Sequence, residues 1–236
     1  MKNLLVIGGN SDIGFETAKN FAYSNFMITL ASRDYDSLII KKETLEKKNF
    51  SCEILKFDIL DDYNNLNLFL DLKKKPEVLL ICLGYLENPE NNYEKIIKVN
   101  YLSIILFLEK YLQNEILKNS LKAIICISSA GADRGKRKNN IYSSAKSGLQ
   151  NYLQGLRQRL NKININVITI KPGYVDTKMT KNLNLPSFLT LKKEVIGKRI
   201  FMAYKNKKDV TYASFLWRII SMIYNLIPES IFKKLK

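Results

Sequence analysis

Two side chains four residues apart define the chemistry open to this chain. Tyr142 and Lys146, in the run Tyr142-Ser143-Ser144-Ala145-Lys146, fall on one face of a helix, which brings the ammonium near the phenol. A phenol has an unperturbed pKa near ~10, and an adjacent cation lowers it by favouring the phenolate. Tyr142 is then a usable general acid in a chain that contains no histidine. That absence excludes Ser-His-Asp and Cys-His nucleophile arrangements, HExxH zinc sites and imidazole proton shuttles. Ser129 closes the run Ile127-Ser128-Ser129 and is placed to hydrogen-bond the same substrate oxygen.

A second motif supplies what such an acid would work with. A short apolar run leads directly into Gly8-Gly9-Asn10-Ser11-Asp12-Ile13-Gly14 and then a helical pattern. Glycines at a strand-to-helix turn let the backbone approach a pyrophosphate, while the helix N–H groups and positive dipole end receive its charge. The turn predicts a dinucleotide site, where Lys146 can also hold a nicotinamide ribose. The second strand ends in Ser32-Arg33; an arginine there accommodates a 2′-phosphate and favours NADPH over NADH. Asp58, followed by Ile59, closes the third strand, either facing the adenine amino group or capping a helix that begins at Asp61. Asn100, within a long helical segment, can hold a water for a proton relay toward Lys146. After the sixth strand Pro172-Gly173 turns the chain, leaving Val175 backbone and the Thr177 hydroxyl available to the nicotinamide amide.

The elements that must position these groups follow from periodicity. With 236 residues, 46% apolar and 25% charged, the chain can bury one sizeable core, which excludes a disordered, collagenous or disulfide-built protein. Apolar or β-branched runs predict strands at Asn3–Ile7, Met27–Ala31, Cys52–Phe57, Val78–Cys82, Ala123–Ser128, Asn166–Ile170 and Val210–Tyr212. Helical segments alternate with them, the clearest being Ile13–Ser24, Tyr93–Ile116 and Tyr142–Asn161, so the expected fold is α/β, a single-domain Rossmann-type doubly wound parallel sheet of about seven strands. Ligands of such sheets bind beyond the carboxyl ends of the strands. The three cysteines, Cys52, Cys82 and Cys126, are far apart and read as buried thiols, and no metal site is expected. The first residues make a poor signal peptide and no apolar stretch reaches eighteen residues, which predicts a cytoplasmic protein without a spanning helix.

Charge and the C-terminus bear on the partner. The net charge of +16 attracts anions, but no recognition motif accompanies it, so nucleic acid is not expected. Residues 1–212 read as the dinucleotide-binding and catalytic domain and 213–236 as an amphipathic, basic tail. From Phe215 to Ile227 polar residues occur only at Arg218, Ser221 and Asn225, on one side of a helix, leaving a broad apolar face. Lys233, Lys234 and Lys236 follow. This tail either lies peripherally on an anionic membrane surface or makes an oligomer contact or substrate lid. Arg134, Lys136, Arg137 and Lys138, between Ser129 and Tyr142, form either a solvated loop or a seat for a substrate phosphate.

In this order the motifs resemble the short-chain dehydrogenase/reductase family over essentially the whole chain. The resemblance implies a tetrad of Ser129, Tyr142, Lys146 and Asn100, a cofactor set that includes Gly84, hydride from the nicotinamide, a proton from Tyr142, and a homo-oligomer. Asp12 stands where the family usually has the middle glycine, and Ile81-Cys82-Leu83-Gly84 replaces the usual Asn-Asn-Ala-Gly. Those departures, the Arg134 and Arg137 cluster, Met179 and the ending Ile227-Pro228-Glu229-Ser230-Ile231-Phe232-Lys233-Lys234-Leu235 resemble one branch, reductases of decaprenylphosphoryl-2-keto-ribose. That branch implies a polyprenyl-phosphoryl 2-keto-pentofuranose as substrate, polyprenyl-phosphoryl arabinose as product for the cell envelope, and a partner oxidase that supplies the keto sugar. A soluble reductase of another keto sugar or 3-oxoacyl thioester, and a cofactor-sensing protein without turnover, remain the alternatives.

Overall fold

A computed structural model describes residues 1–86, 92–181 and 183–235; Lys236 of the basic tail lies outside them. The chain runs β1 (Lys2–Ile7), α1 (Asp12–Ala22), β2 (Phe26–Ser32), α2 (Tyr35–Glu46), β3 (Cys52–Lys56), α3 (Asn67–Leu70), β4 (Val78–Ile81) and α4 (Tyr93–Ile97). It continues through α5 (Ser103–Gln113), α6 (Glu115–Ser120), β5 (Ala123–Ile127), α7 (Asn140–Asn161), β6 (Asn166–Lys171), β7 (Tyr174–Asp176), β8 (Thr190–Lys192), α8 (Lys193–Lys205), β9 (Val210–Tyr212), α9 (Phe215–Leu226) and α10 (Glu229–Phe232).

Seven strands form one parallel sheet in the order β3-β2-β1-β4-β5-β6-β9, as the alternation of runs predicts. Its central strands read as unbroken apolar runs because helices cover both faces. Alternate residues serve the two layers: Leu4 and Val6 pack with Phe21 and Ile168, while Leu5 and Ile7 pack with Phe107 and Leu153. Asn3, buried in β1, is satisfied by donating to Lys74 O at 2.6 Å and accepting from Thr29 Oγ1 at 3.2 Å. The three cysteines are free and buried.

Two features depart from the periodicity. The segment expected as one helix over 93–116 is divided into α4, a π-helical turn over Lys98–Leu102, and α5, and it ends at Gln113 before Asn114 caps α6. A small second sheet pairs β7 with β8, carrying the chain over the carboxyl ends of the large sheet. Among the described residues no helix is long and apolar enough to cross a membrane.

Candidate active site

The carboxyl ends of β1, β4, β5 and β6 border a cleft of 1120 Å³ whose lining includes Ser11, Gly84, Ser129, Tyr142, Lys146 and Thr177. α7 carries Tyr142 and Lys146 on the face turned to β5, and Ser129 lies two residues past the end of that strand. The expected juxtaposition of ammonium and phenol is not what organises them. Lys146 is 1% exposed and donates to two backbone carbonyls, Leu83 O in the loop after β4 at 2.8 Å and Ile127 O at the end of β5 at 3.0 Å. Burial pulls its pKa down to about 8, partly opposed by the Cys82 and Cys126 thiols. Tyr142 moves the opposite way from expectation: burial pushes its phenol up to about 12, offset in part by the Ser129 hydroxyl. The spacing on α7 is as expected, but the lysine reaches carbonyls that spacing does not reveal.

Asn100 is fully buried in the π-helical turn. Its amide accepts from Tyr85 N at 3.2 Å and donates to Tyr85 O at 2.7 Å and Ile96 O at 2.9 Å. A π turn lengthens the backbone ladder to i→i+5, and such turns recur at functional sites. Here the side chain ties the loop after β4 to the helix below the cleft. Gln150, one turn beyond Lys146 on α7, was not singled out by the sequence; its amide donates to Ser128 Oγ and Ser129 O, both at 2.9 Å, fixing the serine loop. The i, i+4, i+8 spacing of Tyr142, Lys146 and Gln150 was the available signal.

The glycine turn fits a nucleotide phosphate group. Gly8 has φ +91°, and a Cβ there would meet Cys82 O at 2.3 Å. Gly8 and Gly9 N–H both donate to Ala31 O at 2.9 Å, closing the turn against β2. Ser11 caps α1 through Gly14 N at 3.4 Å and touches Cys82 Sγ at 3.1 Å, while Ile13 faces the cleft. Asn10 donates to Ser32 Oγ at 3.2 Å and Asp34 O at 2.7 Å, and its own oxygen is buried without a partner, an acceptor that a ribose hydroxyl would satisfy. Asp12 turns away from the glycines: it accepts from Lys178 N at 2.9 Å and lies 3.6 Å from Lys193 Nζ.

At the β2 end Arg33 is exposed, beside a 460 Å³ hollow lined by Arg33, Asp34 and Lys56 among others. Asp34 caps α2, accepting from Ser37 N at 3.1 Å and Ser37 Oγ at 2.5 Å, bonds that hold its carboxyl below the usual range. Asp58 caps a turn, accepting from Leu60 N at 3.0 Å; no helix begins at Asp61, and Ile59 is buried.

The C-terminal segment forms a wall of the same cleft. Trp217 on α9 lies so close to Gly173 that a Cβ there would sit 1.9 Å from the indole, and it donates to Leu189 O at 3.0 Å. Asp133, 6% exposed at its side chain, joins this wall to the sheet: it pairs with Lys171 at 2.6 Å, accepts from Tyr212 OH at 2.6 Å and from Ser221 Oγ. Arg134 faces the tail as well, donating to Tyr224 O, to Ile227 O at 2.6 Å and to Glu229 at 2.8 Å, with its guanidinium 3.7 Å from the Phe232 ring. Of the basic cluster, Lys136, Arg137 and Lys138 line the cleft, together with Lys233 and Lys234 of the tail. Pro172 and Val175 line it too, Pro172 O accepting from Ala130 N at 2.7 Å; Thr177 Oγ1 meets Thr180 Oγ1 at 3.2 Å.

A buried lysine, a serine and a tyrosine beside a glycine turn can hold a dinucleotide and deliver a proton to a carbonyl oxygen. The comparisons agree in kind. The family model for short chain dehydrogenase matches residues 2–187. A 3-oxoacyl-[acyl-carrier-protein] reductase of Buchnera aphidicola is 28% identical over 215 residues, 90% of this chain and 80% of its own. An uncharacterized oxidoreductase of Mycobacterium tuberculosis is 23% identical over 242 residues, 98% of this chain and 96% of its own. Among solved structures, a short chain dehydrogenase from Burkholderia cenocepacia in complex with NADP has a TM-score of 0.80 at 17% identity, covering 100% of this chain and 99% of its own.

Proposed function

The chain belongs to the short-chain dehydrogenase family, and on that premise we propose that it is an NADPH-preferring reductase of a carbonyl compound that carries both an anionic group and a long apolar chain. The reduced nicotinamide supplies a hydride when bound. Tyr142, held protonated by burial, gives its proton to the carbonyl oxygen while Ser129 hydrogen-bonds that oxygen, and the product is the alcohol. Lys146 keeps a positive charge at neutral pH beside the ribose, and Asn100 and Gln150 hold the loops on either side. Arg33 supports NADPH because Asp34, the nearby carboxylate, is engaged in capping α2 and leaves the guanidinium to a 2′-phosphate; NADH is the second cofactor.

The observation that carries the substrate class is the cleft wall. Trp217, Phe232, Leu183 and Leu185 give it an apolar side, and Lys136, Arg137, Lys138, Lys233 and Lys234 give it a cationic rim. A polyprenyl-phosphoryl 2-keto-pentofuranose suits both, and its reduction to the arabinose would complete a C2 epimerisation begun by an oxidase. A 3-oxoacyl thioester is the second reading, favoured by the Buchnera relative. Turnover of the lipid-linked keto-pentose and of a 3-oxoacyl thioester, each with NADPH and NADH, tests this. Reduction of the lipid-linked sugar is expected, faster with NADPH. Reduction of the thioester or a soluble ketone alone removes the lipid-linked assignment.

A further inference from the structure

α9 packs through its narrower side and leaves its broad apolar face outward. Its one small polar residue on the inner side, Ser221, is buried with Trp217 and bonded to Asp133. Its apolar stripe, Phe215, Leu216, Ile219, Met222, Ile223 and Leu226, recurs at i, i+1, i+4, i+7, i+8 and i+11 and faces outward, with Phe215 74% and Leu226 80% exposed. Phe188, 77% exposed, is a further exposed ring on the turn that the Trp217–Leu189 bond ties to α9. A contiguous exposed apolar face of this kind marks an interaction site. Arg218 on the same helix, and Lys233 and Lys234 directly after α10, are exposed.

We propose that this face docks the protein on an anionic lipid bilayer, with α9 lying in the headgroup region and the lysines against lipid phosphates. Charge selects lipid over a second copy of the chain. Pairing α9 with α9 about a two-fold axis would bring the basic groups of both copies together in a protein already at +16, whereas an anionic surface neutralises them. The helix has twelve residues, about 18 Å at ~1.5 Å per residue, so it lies in the interface and does not span it. Its inner side lines the cleft through Trp217 and Tyr224, so docking sets the α9 wall of the cleft against the bilayer. The docking is read from α9 and the charge alone and does not rest on the lipid-linked substrate.

The test is flotation of the full chain with vesicles of phosphatidylcholine, with and without phosphatidylglycerol, beside an Ile223→Glu/Leu226→Glu variant whose fold is checked by circular dichroism and NADPH binding. Binding to the anionic vesicles, weakened by roughly tenfold or more in the variant and reduced by salt, is expected. Absence of binding to anionic vesicles overturns the proposal. So does a dimer, measured by light scattering, that the same two substitutions convert to monomer. Docking without turnover of lipid-linked sugar leaves the membrane surface standing and removes only the substrate.

Discussion

Taking an ammonium out of water costs several kcal/mol unless partners replace the solvent, and at Lys146 two carbonyls do so. Because its folded pKa, about 8, lies below the unfolded value, the unfolded chain binds more protons between these values and stability rises with pH across that window. The charged-state burden is present in full below about 8 and removed above the unfolded value. Lys146→Met removes the burden, so urea unfolding should find wild type gaining about 2–3 kcal/mol relative to the variant between pH 7 and pH 10. Tyr142→Phe should lower kcat by roughly 10²–10⁴ with little change in NADPH affinity, measured by steady-state kinetics and titration. With the phenol near 12, reduction finds its acid form at every working pH, whereas oxidation of the alcohol needs the phenolate and should climb about tenfold per pH unit from 7 to 10. The types of residue at the site were legible, since Tyr142, Lys146 and the glycine turn carry them. The direction of the tyrosine shift was not, because it is set by how deeply the phenol is buried, and Lys146 is occupied by the Leu83 and Ile127 carbonyls, neither of which the spacing on α7 reveals.

The strands were readable at the level of elements because a buried parallel sheet writes itself as apolar runs. The break at Lys98–Leu102 was not: residues 93–113 contain neither glycine nor proline, and the interruption coincides with Asn100 reaching Tyr85 and Ile96, a tertiary demand. Likewise Asp12 shows its use only when β7 folds over the cleft. Its carboxylate joins the start of α1 to Lys178 N, holding the loop after β7 beside the glycine turn. Asp12→Ala should therefore speed NADPH release by roughly tenfold, the loss of one charge-assisted bond, in stopped-flow chase experiments. Asp12→Asn, which keeps an accepting oxygen, should restore slow release.

At the scale of the molecule, the tail completes the site. The pattern of α9 predicted an apolar face but not which side packs, since that is decided by Gly173, Asp133 and Arg134, distant in sequence and together in space. Gly173→Ala would drive a methyl into the indole and should destabilise the protein by about 1–3 kcal/mol, as overpacking does, seen as a lowered Tm. Adding Trp217→Leu should recover part of the loss. The chain has one tryptophan, and it is seated in the cleft wall, beside the Tyr174 ring at 4.9 Å between centroids. All indole emission therefore comes from a single position bordering the cleft, so quenching, or energy transfer to a reduced nicotinamide, would report occupancy of the pocket in real time, with no label attached and no background from elsewhere in the protein.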